Sequence, residues 1–149
     1  MRQQKTDRGA IATLKTYFNR LDFADRDSDL DMDMLTNAAW EGATFSNGAN
    51  GTINLNAVFG VPLNARAVFV WASARDAASA GGTYYFNVRT KATTANPHFT
   101  CRCPQGVDDE LGQQHGFVPI PAAGTLYYNV VASDVNTMDV WLRIIGYVI

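Results

Sequence analysis

Cysteine, histidine, charge and long apolar runs are all scarce in this chain of 149 residues, and each shortage closes off a class of function. The only cysteines, Cys101 and Cys103, stand two positions apart. On a strand they share a face at about 7 Å, beyond the reach of an unstrained disulfide. Free thiols in a chain folded in a reducing cytoplasm are therefore expected. Zinc needs four ligands converging on one point. The soft-ligand set is limited to His98, Cys101, Cys103 and His115. His98 lies an odd number of positions from Cys101 and would face the other way, so no metal or cofactor is expected.

No stretch approaches the roughly 20 apolar residues of a spanning helix. The opening MRQQKTDRGAIATLK lacks the apolar run of a signal peptide. With 17% charged residues and a net charge of −2, no field draws in phosphates or lipid headgroups. Neither a nucleic acid nor a membrane is an expected partner. A catalytic site is equally poorly provided for. His115, beside Asp108, Asp109 and Glu110, is the sole candidate base. No nucleophile-elbow or oxyanion motif accompanies it, so no catalytic residue is assigned and a non-enzymatic protein is expected.

What the chain does have is an uneven distribution of charge. Residues 1–20 carry Arg2, Lys5, Arg8, Lys15 and Arg20 against Asp7 alone, a net +4. Residues 21–41 carry six aspartates and Glu41 against Arg26, a net −6, and the remainder is neutral. The chain divides into a bipolar arm, 1–39, and a neutral body, 40–149. In the arm, Ile11, Leu14, Phe18 and Leu21 recur at helical spacing and predict a short amphipathic helix of about three turns. Such a helix forms only when docked, either on its own body or on another subunit. The next stretch, DRDSDLDMDM, fits no register of a calcium loop, because the glycine and closing glutamate positions are wrong. Its alternation sets Asp29, Asp31 and Asp33 opposite Leu30, Met32 and Met34, and predicts an extended acidic segment able to add to a sheet edge.

The body predicts strands near 52–55, 65–75, 83–89, 98–103, 116–120, 125–132 and 136–149, separated by Gly, Asn, Pro and Asp turns. A polar loop is expected over 107–114, and the strand interrupted by Pro119 and Pro121 should lie at an edge. No helical period comes after Trp40. The pattern is that of an all-β protein: an antiparallel β-sandwich, jelly-roll-like, behind an amino-terminal arm.

The final segment, NTMDVWLRIIGYVI, alternates Met138, Val140, Leu142 and Ile144 with Asp139, Trp141, Arg143 and Ile145. From Ile144 onward both faces become apolar, with Gly146 as a candidate bulge. A sandwich has one inner face per sheet, so the surplus predicts self-association through Trp141, Ile145, Tyr147 and Ile149. An aromatic platform that stacks on sugar is the alternative use of rings such as Trp71, Tyr85, Tyr127 and Trp141.

Several motifs of the body also carry a family resemblance. They are the opening W-x-G of Trp40 and Gly42 and I-x-L-x-x-V-F-G-V-P over 53–62, then Val68 and Val70 leading to Ser73 and Asp76. Next come Gly82-Thr83 before an aromatic strand, L-Y-Y over 126–128, and V-W-L-R-I-I-G-Y over 140–147. With these features the body resembles β-sandwich domains in structural proteins of tailed bacteriophage particles. The resemblance implies a capsid cement or decoration protein, a head fibre or a tail appendage, and carries no catalytic residues with it. The resulting expectation is a viral structural protein on the capsid surface of the virion, assembled in the host cytoplasm. It would form a homotrimer and grip the major capsid protein through Arg2, Lys5, Arg8, Ile11, Leu14, Phe18, Leu21, Asp29, Asp31 and Asp33. The alternative is a tail or fibre receptor-binding module, whose partner would be a glycan.

Overall fold

The computed structural model describes residues 34–93 and 96–149. Among the described residues eight strands are present: β1 (Glu41–Phe45), β2 (Asn50–Asn54), β3 (Ala67–Asp76), β4 (Tyr85–Arg89), β5 (Phe99–Arg102), β6 (Gly112–Pro119), β7 (Thr125–Val131) and β8 (Met138–Val148). They form two four-stranded sheets, in the orders β1-β8-β3-β6 and β2-β7-β4-β5. Every pairing is antiparallel. The pairings are nested, because β1 pairs with β8, β2 with β7, β3 with β6 and β4 with β5. The chain is an all-β sandwich, as its alternating pattern predicts.

The core lies where the period of two puts it. Val68, Val70, Ala72 and Ala74 of β3 and Met138, Val140, Leu142 and Ile144 of β8 turn inward. They meet Ile53, Phe86, Val88, Phe99, Cys101, Leu126 and Val130 of the other sheet. Trp40, 8% exposed, closes one end of the core, edge-on to Tyr128 at 5.3 Å and tilted against Phe45 at 5.7 Å. Strand β8 lies inside its sheet, between β1 and β3.

Four local features depart from the sequence reading. The chain ahead of the first expected strand is itself paired: Glu41–Phe45 forms β1, which none of the expected strands covers, and Asn50 and Gly51 belong to β2 rather than to a turn. A short helix, α1 (Leu55–Phe59), comes after β2; the Asn54 side chain accepts from the Ala57 amide at its start, and Gly60, at φ 72°, closes it. Five residues are too few to show helical periodicity, so capping and burial of Leu55 and Phe59 define the helix. The third departure is β6, which begins at Gly112, inside the segment read as a loop. As an edge strand, the position expected for 116–120, it turns Gln113 and His115 away from the core, so its polar residues hid the first half. Finally, pairing with the body starts before Trp40. The Leu35 amide donates to the Ile144 carbonyl at 2.8 Å, and the Ile144 amide returns the bond at 3.0 Å.

Buried polar groups secure the loops. The carboxylate of Asp76, at the end of β3, accepts from the Ala78 amide at 3.0 Å, the Ser133 amide at 3.0 Å and the Thr137 hydroxyl at 3.1 Å. It thereby joins the turn after β3 to the β7–β8 turn. Burial alone would raise this carboxyl, and the hydrogen bonds from Ser133, Ala78 and Thr137 more than reverse that, holding it below the usual carboxylate range. At the start of β6, a Cβ placed on Gly112 would lie 1.8 Å from the Arg102 carbonyl oxygen. Only glycine allows β5 and β6 to approach so closely. The Gly112 carbonyl in turn accepts from the buried Ser73 hydroxyl at 3.0 Å.

Candidate interaction surface

The outward face of the β1-β8-β3-β6 sheet concentrates the aromatic and arginine residues. Alternation on β3 turns Phe69, Trp71, Ser73 and Arg75 outward, and register places Gly146, Arg143, Trp141 and Asp139 of β8 beside them in that order. On the far side, Phe117, His115 and Gln113 of β6 stand opposite Phe69, Trp71 and Ser73. The result is a layer three strands wide.

Both arginines in this layer are held by a carboxylate and a ring, and Arg75 also pairs with Asp109 at 3.4 Å. Arg143 donates to Glu41 through Nε at 2.8 Å and Nη2 at 2.7 Å, and its guanidinium carbon lies 5.1 Å from the centre of the Trp71 ring. Arg75 donates to Asp139 through Nε at 3.1 Å and Nη2 at 2.9 Å, and lies 5.6 Å from the centre of the Trp141 ring. Asp139 accepts a further bond from the Thr44 hydroxyl at 2.7 Å. The Arg143 hydrogen bonds hold the Glu41 carboxyl below its usual range, against the opposing effect of burial, and raise Arg143 in turn. Partly exposed ion pairs of this kind each contribute about 1 kcal/mol or less to stability. Their structural effect is to satisfy the charges within the sheet and to spread flat guanidinium and ring surfaces outward. Trp141 rests over β1 at Gly42, where a Cβ would come within 3.3 Å of the indole. Gly42 has φ +79°, which also favours glycine there.

Beyond Trp71 the layer becomes apolar. Phe69 stacks on Phe117 with ring centres 4.7 Å apart, and His115 meets Phe69 edge-on at 5.8 Å. Phe117 is 58% exposed. Trp, Phe and Arg are the residues enriched at the centres of protein interfaces.

The residues expected to mediate self-association are divided by the structure. Trp141 lies on this face. Ile145 is the extra residue of a β8 bulge, because Ile144 pairs with Val70 and Gly146 pairs with the adjacent Phe69. The bulge reverses the parity of the rest of β8, so Tyr147 stands opposite the fully buried Val68 and packs against the core. Tyr147 therefore does not share the face of Trp141, contrary to the simple alternation. Ile149, 39% exposed, ends the chain beside this region. The sequence pattern puts Phe117 in a short edge strand, 116–120, but gives it no role, because its stack on Phe69 depends on the register between β3 and β6.

The arm residues Arg2, Lys5, Arg8, Ile11, Leu14, Phe18, Leu21, Asp29, Asp31 and Asp33 lie outside the described residues. Cys101 and Cys103 are buried and form no disulfide, and burial pushes each thiol up to about 12. They are neutral at physiological pH and poor nucleophiles. His98 and His115 are both exposed. Among the described residues no group of three or more His, Cys, Asp or Glu side chains is placed to hold a metal ion. Among the same residues no helix is long and apolar enough to cross a membrane. Comparison with family models and with curated proteins finds no match for this chain.

Proposed function

We propose that this protein is a non-enzymatic structural component of a tailed-phage virion, a capsid cement or decoration protein. In this reading the sandwich self-associates as a homotrimer, and the arm binds the major capsid protein. The observation that carries the reading is the outward layer of Trp71, Trp141, Phe69 and Phe117, in which both arginines are already paired with carboxylates. A face so arranged buries apolar area against a partner without leaving an uncompensated charge. The nested strand order favours reading the sandwich as a jelly roll, the architecture common in viral shells. The resemblance of 40–149 to phage sandwich domains points to the same role. The bipolar arm adds a segment that gains affinity by ordering on a complementary surface, and several arms on one oligomer add avidity.

Particles prepared with and without this protein test the proposal. Cement activity predicts that particles lacking it lose integrity at a lower temperature and on dilution, and that adding the purified chain restores resistance. Equal resistance in both preparations contradicts the cement role. Localisation of the chain to the tail instead of the shell would favour the receptor-binding alternative.

A further inference from the structure

The opposite sheet, β2-β7-β4-β5, differs in chemistry on its outward side. Its rows are polar: Asn50, Asn129, Asn87 and Thr100 stand side by side across all four strands, and Thr52, Tyr127 and Arg89 form the adjacent row. The Thr100 hydroxyl donates to the Asn87 side-chain oxygen at 2.7 Å, so part of the first row is internally satisfied. Between β2, β7 and the end of β4 lies a cleft of about 480 Å³, lined by Asn50, Thr52, Arg89, Tyr127 and Asn129 among others.

Two further observations concern Arg89. Its Nε is buried and has no hydrogen-bond partner among the described residues. Moreover, the four strands of this sheet and the β4–β5 connection contain Arg89, Lys91 and Arg102 but no aspartate or glutamate. Every side-chain carboxylate from residue 34 onward belongs to the other sheet or to loops elsewhere. Arg89 is thus a fork-shaped donor in a cleft, with one hydrogen removed from water and no internal anion in its sheet. Buried donors, and charged ones above all, are ordinarily paired. Arg75 and Arg143 on the other sheet obey that rule with their own carboxylates.

We propose that this cleft binds an acidic saccharide residue. The sugar carboxylate takes the Arg89 guanidinium, whose planar geometry matches it. Asn50, Asn129 and Thr52 supply the mixed donors and acceptors that ring hydroxyls require. Tyr127 offers a ring against which the apolar face of a pyranose packs. A phosphate-rich polymer would call for several cations in the cleft, whose lining among the described residues contains one. A peptide carboxylate would call for a pocket for its neighbouring side chain, whereas the apolar lining here is the ring surface of Tyr127 and Tyr128 with Ala92, interleaved with amides and hydroxyls as a pyranose requires. The site lies on the opposite sheet from the proposed assembly face and does not depend on that reading.

The test is titration of the full chain with a panel of uronic- and sialic-acid-terminated oligosaccharides, their neutral counterparts, and inorganic phosphate, monitored by amide chemical shifts. At least one acidic sugar should bind saturably with shifts centred on β2, β7 and Arg89. Its neutral counterpart should bind at least about tenfold more weakly. Arg89→Gln should remove that discrimination, Arg89→Lys should restore it in part, and Tyr127→Ala should weaken both sugars. Phe117→Asp, on the other sheet, should leave binding unchanged. Circular dichroism and Tm confirm that each variant is folded. The proposal is overturned if no acidic sugar in the panel binds, if acidic and neutral sugars bind alike, if folded Arg89→Gln retains the preference, or if phosphate competes as well as the sugar.

Discussion

Arg143 lays its guanidinium 5.1 Å from the centre of the Trp71 ring while Glu41 grips the same group with two hydrogen bonds. The residues come from β1, β3 and β8, so this one contact ties three neighbouring strands together on the outside of the sandwich. Removing the carboxylate should free the guanidinium to leave the ring. Glu41→Gln is expected to lower stability by about 0.5–1 kcal/mol, with the loss shrinking as salt is added. Denaturant unfolding at low and high ionic strength measures it. Because the Glu41 carboxyl is held below its ordinary value, its contribution is present above that value and disappears as pH falls through the folded one.

Asp76 should matter more than Glu41, because it is fully buried and accepts from Ala78, Ser133 and Thr137. Asp76→Asn loses the charge that strengthens those bonds and is expected to cost about 2–4 kcal/mol. The Asp76 carboxyl is lowered relative to its ordinary value of 3.8, so wild-type stability from this group is complete above that pH and is lost on further acidification. The acid-induced fall in Tm should accordingly be shallower in Asp76→Asn than in the wild type.

Gly112→Ala places a Cβ against the Arg102 backbone, where no flexible side chain can give way. The β5–β6 approach must open, disturbing the hydrogen bond from Ser73 to the Gly112 carbonyl. A cost of about 2–4 kcal/mol is expected, or a fall in Tm of roughly 5–15 °C. Calorimetry checks it, and Gly81→Ala, with nothing within 4 Å of the added Cβ and no left-handed backbone, serves as the control without the clash.

The two thiols should resist alkylation. Cys101 and Cys103 are raised by burial to about 12 from an ordinary value of 9.0, so native protein at pH 8 should react with iodoacetamide only through opening of the fold. The reaction rate should rise with denaturant in parallel with unfolding. By linkage, the native state keeps these protons where the unfolded chain gives them up. Stability is therefore unaffected below about pH 9 and falls as pH rises from there toward 12.

Local pattern made some of this structure readable in advance and concealed the rest. The inward residues of β3 and β8 keep a strict period of two, so the sandwich and its core were legible on those strands. β6 was legible in part: its second half reads as an edge strand, which it is, while its first half was hidden because Gln113, Gln114 and His115 offer no apolar alternation. The face of Tyr147 depends on a bulge at Ile145, which exists only relative to β3 and cannot be read from β8 alone. The same holds for the interaction layer. Trp71, Arg75, Trp141 and Arg143 were visible as outward residues, but their pairing depends on strand adjacency. The Arg89 cleft required both neighbouring strands and the knowledge that no carboxylate shares its sheet.

In the proposed role the outward layer of the β1-β8-β3-β6 sheet is an assembly face, and sedimentation equilibrium of the full chain tests this most directly. Phe117 is 58% exposed, so Phe117→Asp should still fold, with Tm lowered only by the loss of its stack on Phe69, while placing an unpaired charge in the interface. The expected result is a trimeric wild type and a variant that is largely monomeric at the same concentration, its association at least about thirtyfold weaker. A wild type that stays monomeric at every concentration, or a folded Phe117→Asp that associates as tightly as the wild type, would contradict it.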